Sequence, residues 1–201
     1  DTGYGPPSVV REAVQEFERA GLAGMQIEDQ EEAKKCGHLS GKRLIPTADM
    51  VAKITAAVEA KCDRDFVLVA RTDARTVDGL QAAIQRGVAY ANAGADALFP
   101  EALLSADEFH TFALEMNRAG VHLPLNMTEF GKPPYLSVDE FERLGYRGVL
   151  FPVSTLRVAA LAVEKLLREL RFFGSQRAWL DHMMTLQELY SLLRYEHGQN
   201  Q

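Results

Sequence analysis

The chain has 201 residues, with 22 Lys+Arg against 28 Asp+Glu and a formal charge of −6. Its length suits one domain with an appendage, and a composition that is 47% hydrophobic excludes a disordered chain. No apolar run approaches the roughly 20 residues of a membrane span, so no membrane is expected, and net acidity without a basic stripe argues against nucleic acid as the main partner.

In chain order, Asp1-Thr2-Gly3-Tyr4-Gly5 has neither the basic region nor the apolar stretch of a signal peptide. With only Cys36 and Cys62 as cysteines, a reducing cytoplasm is expected. The chain starts with Asp rather than Met, so a natural N-terminus is expected upstream. A helical pattern then runs over 8–20, opening at Ser8, and an apolar run over 22–27 ends in Glu28-Asp29-Gln30. After a basic, glycine-containing loop come a helix over 47–61 and a run over 66–70 that ends in Arg71-Thr72-Asp73. A helix over 78–93 leads to a run over 97–99 ending in Pro100-Glu101. The helix over 105–119 starts with Ser105-Ala106-Asp107-Glu108, which resembles a capping box. A run over 123–127 ends in Asn126-Met127-Thr128-Glu129. A helix over 137–144 precedes a last run over 148–151, ending in Pro152. Several helices end near glycine, at Gly21, Gly94, Gly120 and Gly145. The tail is all helix, over 154–173 and, after a break at Gly174, over 176–196.

Short apolar strands alternating with helices predict βαβ units and a parallel sheet. An open sheet would gather its polar groups at one switch point. Polar residues at the ends of successive strands favour the mouth of an α/β (β/α)8 TIM-type barrel. A full barrel needs about 250 residues, so the sequence reads as a partial barrel over 1–173 lacking its first strands, with a C-terminal helical segment over 174–201.

Lys34-Lys35-Cys36-Gly37-His38-Leu39-Ser40-Gly41-Lys42-Arg43 is the most informative stretch. A cysteine among lysines and a histidine lies in a positive field that favours thiolate, so it can give and regain a proton. Its glycines and serine suit a closing loop. Cys62 has no such company and reads as structural. Asp1, Glu28, Asp29 and Glu101 offer hard oxygen ligands suited to Mg2+, with Glu28 foremost because it directly follows a buried run. The histidines show no zinc spacing. Arg71 either clamps a carboxylate or phosphate bidentately or pairs with Asp73. Asn126 and Thr128 share a strand face and either bond an anionic substrate or cap the next helix. Together these groups suit carbon–carbon cleavage of a small polycarboxylate, with the metal stabilising an enolate-like intermediate that the thiol protonates. Apolar residues of the tail, including Trp179, Leu180, Met183, Met184, Leu186 and Leu189, either pack within the chain or dock a partner helix.

The chain resembles the isocitrate lyase/phosphoenolpyruvate mutase superfamily. The resemblance is carried by Asp1-Thr2-Gly3-Tyr4-Gly5, Ile27-Glu28-Asp29-Gln30, Lys34-Lys35-Cys36-Gly37-His38, Ala70-Arg71-Thr72-Asp73-Ala74, Leu98-Phe99-Pro100-Glu101-Ala102 and Asn126-Met127-Thr128-Glu129-Phe130-Gly131. The Lys-Lys-Cys-Gly-His stretch is specific to the lyase branch. The resemblance implies a (β/α)8 barrel whose last helix is exchanged within a homotetramer, and Mg2+-dependent cleavage of 2-methylisocitrate to pyruvate and succinate. It implies Cys36 as the acid, with Lys34 and His38 in the catalytic set, Asp1 and Glu28 around Mg2+, and Arg71, Glu101, Asn126 and Thr128 on substrate. Pro152 matches the proline that methylisocitrate-cleaving members carry after the last strand. The first carboxylate of the family's Asp-x-Asp metal motif would stand just before Asp1. Phosphonomutase, dimethylmalate lyase, oxaloacetate hydrolase and an inactive fragment are the competing expectations.

Overall fold

The computed structural model describes residues 1–37, 39–131 and 133–195. The apolar runs become five parallel strands: β1 Gly24–Glu28, β2 Val67–Thr72, β3 Ala97–Pro100, β4 Pro124–Asn126 and β5 Gly148–Leu150. β1, β2 and β3 pair in that order, and β4 pairs with β5. An isolated parallel bridge between Ala97 and His122 joins the two groups, with Leu98 N–H donating to the His122 carbonyl at 2.8 Å. Neighbours in sequence are therefore neighbours in space, as βαβ units with covering helices require.

The helices are α1 Pro7–Arg19, α2 Thr47–Ala60, α3 Leu80–Asn92, α4 Ala106–Arg118 and α5 Val138–Arg143. Each presents an apolar stripe at helical spacing: Val10 and Val14 on α1, Met50, Ile54 and Ala57 on α2, Phe109, Phe112, Ala113 and Met116 on α4. These pack with Met25, Ile27, Leu68, Ala70, Leu98 and Leu125, the alternate strand residues facing the helices. Phe109, Phe141 and Tyr146 meet edge to face with centroids 5.2 to 5.9 Å apart.

Local chemistry explains most boundaries. α1 opens on Pro7 at its first position rather than on Ser8, since proline there loses no helical hydrogen bond. Ser105 caps α4 by accepting from Glu108 N–H; the Glu108 carboxylate, however, turns to Arg75 at 2.6 Å. Among the described residues, Ser137 on α5 and Thr185 in the tail complete the reciprocal box. The glycine stops hold: Gly21, Gly94, Gly120 and Gly145 all take positive φ, which an L-residue adopts at a cost.

The chain divides into two compact units, Asp1–Pro152 and Val153–Gln201. This differs from the expected division after residue 173: α6 Ser154–Phe173, which has no buried residue, falls in the second unit. The expected helix over 176–196 is also corrected. It is a 3₁₀ segment, Arg177–His182, followed by α7 Leu186–Leu192. Met183 is extended and Thr185 caps a fresh start with Glu188, so the capping box overrides the apolar periodicity. Its last residue, 196, lies outside the described residues. No described helix is long and apolar enough to cross a membrane.

One buried polar cluster ties the helix layer to the sheet. Asp29 Oδ2 accepts from Thr72 Oγ1 at 2.8 Å, Tyr90 OH at 2.8 Å and Arg86 Nη1 at 3.2 Å, and Oδ1 accepts from Asp73 N–H at 2.9 Å. Burial pushes the Asp29 carboxyl above its ordinary value, against the pull of those bonds and the Arg86 charge. Tyr90→Phe deletes one donor to this carboxylate and a bond to Arg86. It is expected to cost about 1–3 kcal/mol, read as a lower urea midpoint at unchanged slope.

Candidate active site

The carboxyl ends of the strands bring the polar groups together. Parallel register sets Glu28 beside Arg71 and Arg71 beside Phe99. Alternation then puts Glu28, Arg71, Phe99, Glu101 and Asn126 on the face away from the helices. Arg71 is the hub. Its Nε and Nη2 reach Asp73 Oδ2 and Oδ1 at 2.9 and 3.1 Å. Its Nη1 lies 3.1 Å from Glu101 Oε2, and Nε lies 3.7 Å from Glu28 Oε2. The guanidinium also lies 5.7 Å from the Phe99 ring centroid. Asn126 Nδ2 approaches Glu101 Oε2 at 3.4 Å.

Asp73, Glu28 and Glu101 are all at most 2% exposed, so this is charge held out of water by mutual pairing. Burial alone would lower the Arg71 pKa; the bonds to Asp73 and the charges of Glu101, Asp73 and Glu28 more than reverse that and raise it. For Asp73 burial pushes up, and Arg71 and Lys42 outweigh it, holding the carboxyl below its ordinary value. Arg71 thus pairs with Asp73 and faces Glu101 and Glu28 at once. Thr128 is buried, and its Oγ1 has no hydrogen-bond partner among the described residues. A buried orphan hydroxyl is costly and marks a place for a ligand atom.

The loop bearing Cys36 rests on this cluster. Its stem is an antiparallel bridge between Gln30 and Leu44. The Gln30 amide accepts from Lys35 N–H at 2.9 Å, donates to the Lys35 carbonyl at 2.9 Å and donates to Glu28 Oε1 at 3.1 Å. Lys34 Nζ lies 3.4 Å from Glu28 Oε1. Gly37 packs so closely on Glu101 that a Cβ there would overlap the carboxylate. Cys36, the residue before Gly37, is exposed. His38 lies outside the described residues.

Asp1 lies beside Glu28, whose N–H donates to the Asp1 carbonyl at 2.9 Å. Lys53 of α2 secures this segment by donating to the Thr2 carbonyl at 2.9 Å. Among the described residues no group of three or more His, Cys, Asp and Glu side chains could hold a metal. The donor chemistry of Asp1 and Glu28 fits Mg2+, which keeps waters and binds through one or two carboxylates plus substrate oxygens. Asp29 is corrected as a rim carboxylate: the pleat turns it to the helix layer, where its oxygens are engaged. Pro152 follows β5 and ends the first unit.

Strain gathers at the same edge. Tyr4, Ala102 and Phe130 take positive φ, at 68°, 58° and 61°. Ala102 and Phe130 follow β3 and β4 within a few residues, and positive φ is rare outside glycine. Such strain clusters at sites that bind or react. Sequence reasoning missed Asp73, Gln30 and Lys42 as site residues. Asp73 stands two past Arg71 and Gln30 two past Glu28, so alternation was a signal for both; Lys42 had none.

Comparison with known proteins comes down on one family. The phosphoenolpyruvate phosphomutase family model matches residues 1–171. The chain is 51% identical over 195 residues to a 2-methylisocitrate lyase of Aeropyrum pernix, covering 97% of this chain and 62% of that protein. It therefore spans less than two thirds of that relative. Among solved structures it resembles 2,3-dimethylmalate lyase, with a TM-score of 0.83 at 36% identity over 96% of this chain and 63% of that one. It also resembles phosphonopyruvate hydrolase in complex with oxalate and Mg++, with a TM-score of 0.77 at 29% identity over 96% of this chain and 66% of that one.

Proposed function

The chain belongs to the phosphoenolpyruvate phosphomutase family, and from that premise we propose that the protein is a Mg2+-dependent lyase that cleaves 2-methylisocitrate to pyruvate and succinate. One observation carries this reading. Glu28, Arg71, Glu101 and Asn126 stand on the ends of adjacent parallel strands, beneath a loop that brings Cys36 to the same edge.

Arg71, whose Nε and Nη2 are held by Asp73, attracts a substrate carboxylate by its charge and by the Nη N–H groups that Asp73 does not take. Asn126 and the unpartnered Thr128 hydroxyl add neutral donors, and Glu101 accepts from substrate. Pro152 offers an apolar contact for the extra methyl group. Asp1 and Glu28 would hold Mg2+, which when bound stabilises the negative charge that develops on substrate oxygens. The bond between the two carbons breaks with its electron pair left on the succinate side. The hydroxyl of 2-methylisocitrate loses its proton as the pyruvate ketone forms. Cys36 Sγ–H gives a proton to the succinate-side carbon, with Lys34 and His38 as the further members of the catalytic set. The proton lost from the hydroxyl balances the one the thiol gives, so a turnover consumes none.

In this reading the five strands are the later part of a (β/α)8 barrel, and the tail helices are exchanged within a homotetramer. The work is done in the cytoplasm. The exposed side chains Leu156, Val163, Leu167 and Leu170 of α6, recurring at helical spacing, support a covered helix face. Similarity to 2,3-dimethylmalate lyase makes substrate preference the decisive test. With the full-length protein, kcat/KM on 2-methylisocitrate is expected to exceed that on 2,3-dimethylmalate and on oxaloacetate by at least about tenfold, the discrimination one pocket supplies. EDTA should abolish turnover and added Mg2+ restore it. A preference for either other substrate would overturn the assignment.

A further inference from the structure

We propose that Lys42 is the positioning residue for Cys36, binding the cysteine loop to the same buried carboxylate that orients Arg71. From Glu32 to Arg43 the buried members among the described residues are Gly37 and Lys42. Every other described residue of that stretch is exposed, including Lys34, Lys35 and Arg43. Lysine is almost never buried unless paired, and Lys42 is paired twice. Its Nζ donates to the Gly37 carbonyl at 2.6 Å and to Asp73 Oδ1 at 2.8 Å. The side chains of both partners in the Lys42–Asp73 ion pair are at most 1% exposed.

Two consequences follow from this geometry. Gly37 is the residue after Cys36, so the ammonium fixes the peptide that carries the thiol. Asp73 takes Arg71 Nη2 on Oδ1, the oxygen that Lys42 also uses, and Arg71 Nε on Oδ2, so the loop and the substrate-facing guanidinium share one anchor. An anion arriving at Arg71 and the placement of the thiol are thereby coupled through a side chain that touches neither substrate nor the reacting carbon. A methionine at 42 keeps the apolar stem and loses both bonds, and Asp73 keeps Arg71, so the fold has what it needs to survive.

For its catalytic consequence this inference rests on the lyase reading; its structural arm does not. The test uses full-length Lys42→Met and Lys42→Arg in a Cys62→Ser background, with iodoacetamide labelling of Cys36 read on its own peptide by mass spectrometry. Lys42→Met is expected to speed tryptic nicking after Lys34 and Lys35 by about tenfold or more, the signature of local opening, and to change the Cys36 alkylation rate. Its kcat should fall about 10²-fold, as for a group displaced by about 1 Å, with KM nearly unchanged. Lys42→Arg, which can still donate to both oxygens, should recover part of each effect. Unchanged nicking and alkylation in a folded Lys42→Met protein would overturn the proposal. So would nicking that rises equally throughout the chain with a matching loss of Tm, since that is general destabilisation. If the wild-type protein fails to cleave 2-methylisocitrate, the lyase reading falls, and nicking and alkylation still decide the role of Lys42.

Discussion

Arg71→Met is expected to destabilise the protein by about 3–5 kcal/mol at neutral pH, because a buried ion cluster is broken from one side. Glu28, Asp73 and Glu101 would stay buried without the guanidinium that all three face. Asp73 would keep Lys42, and Glu28 would keep Lys34 and Gln30. The pH dependence gives the sharper signature. In the wild-type protein the Asp73 pKa is lowered, so its contribution to stability is present above the ordinary carboxylate value near about 4 and is lost as pH falls through the lower folded value. Without Arg71 the burial of Asp73 is opposed by Lys42 alone, so the Asp73 carboxyl titrates higher and its protonated form is favoured in the native state. The variant should therefore gain stability on acidification from neutrality toward pH of about 5, where the wild-type protein gains none from Asp73. Urea midpoints across that range decide it; parallel curves for the two proteins would mean that Arg71 does not hold the cluster together.

Cys36→Ser is expected to lower kcat by about 10²–10⁴-fold, the usual contribution of a positioned general acid. A serine hydroxyl has nearly the same size and can still form a hydrogen bond. It gives up its proton far less readily than a thiol, so what fails is proton delivery rather than binding. KM should change little, and stability should stay within about 0.5 kcal/mol, as for an exposed position without special contacts. A variant that keeps wild-type kcat would remove Cys36 from the reaction.

The sequence made much of this legible, and the misses share a cause. Alternating apolar runs and glycine stops located all five strands and most helices, because a parallel sheet under helices leaves a plain periodic trace. The polar strand ends pointed to Glu28, Arg71, Glu101 and Asn126, which the structure places on one face. Asp29 was misread because one residue of shift on a pleated strand exchanges the two faces. The tail helix was drawn too long because apolar spacing was followed past Thr185 and Glu188, whose capping chemistry stops and restarts the chain. Lys42 could not be seen. In sequence it is one cation of a basic, hydrated loop, and only the fold shows that its ammonium reaches Asp73, 31 residues on.

The account's central claim is that a side chain on the Cys36 loop protonates the succinate half of a cleaved 2-methylisocitrate. Turnover by the full-length protein in deuterium oxide, with both products read by mass spectrometry and NMR, tests it most directly. Succinate carrying a single deuterium on one methylene with one handedness, and pyruvate with an undeuterated methyl group, is the expected result. Racemic label in succinate would contradict it, since the proton would then have come from bulk water; so would a 2-hydroxy acid deuterated at its hydroxyl-bearing carbon in place of pyruvate, since the electron pair would then have gone to the other fragment.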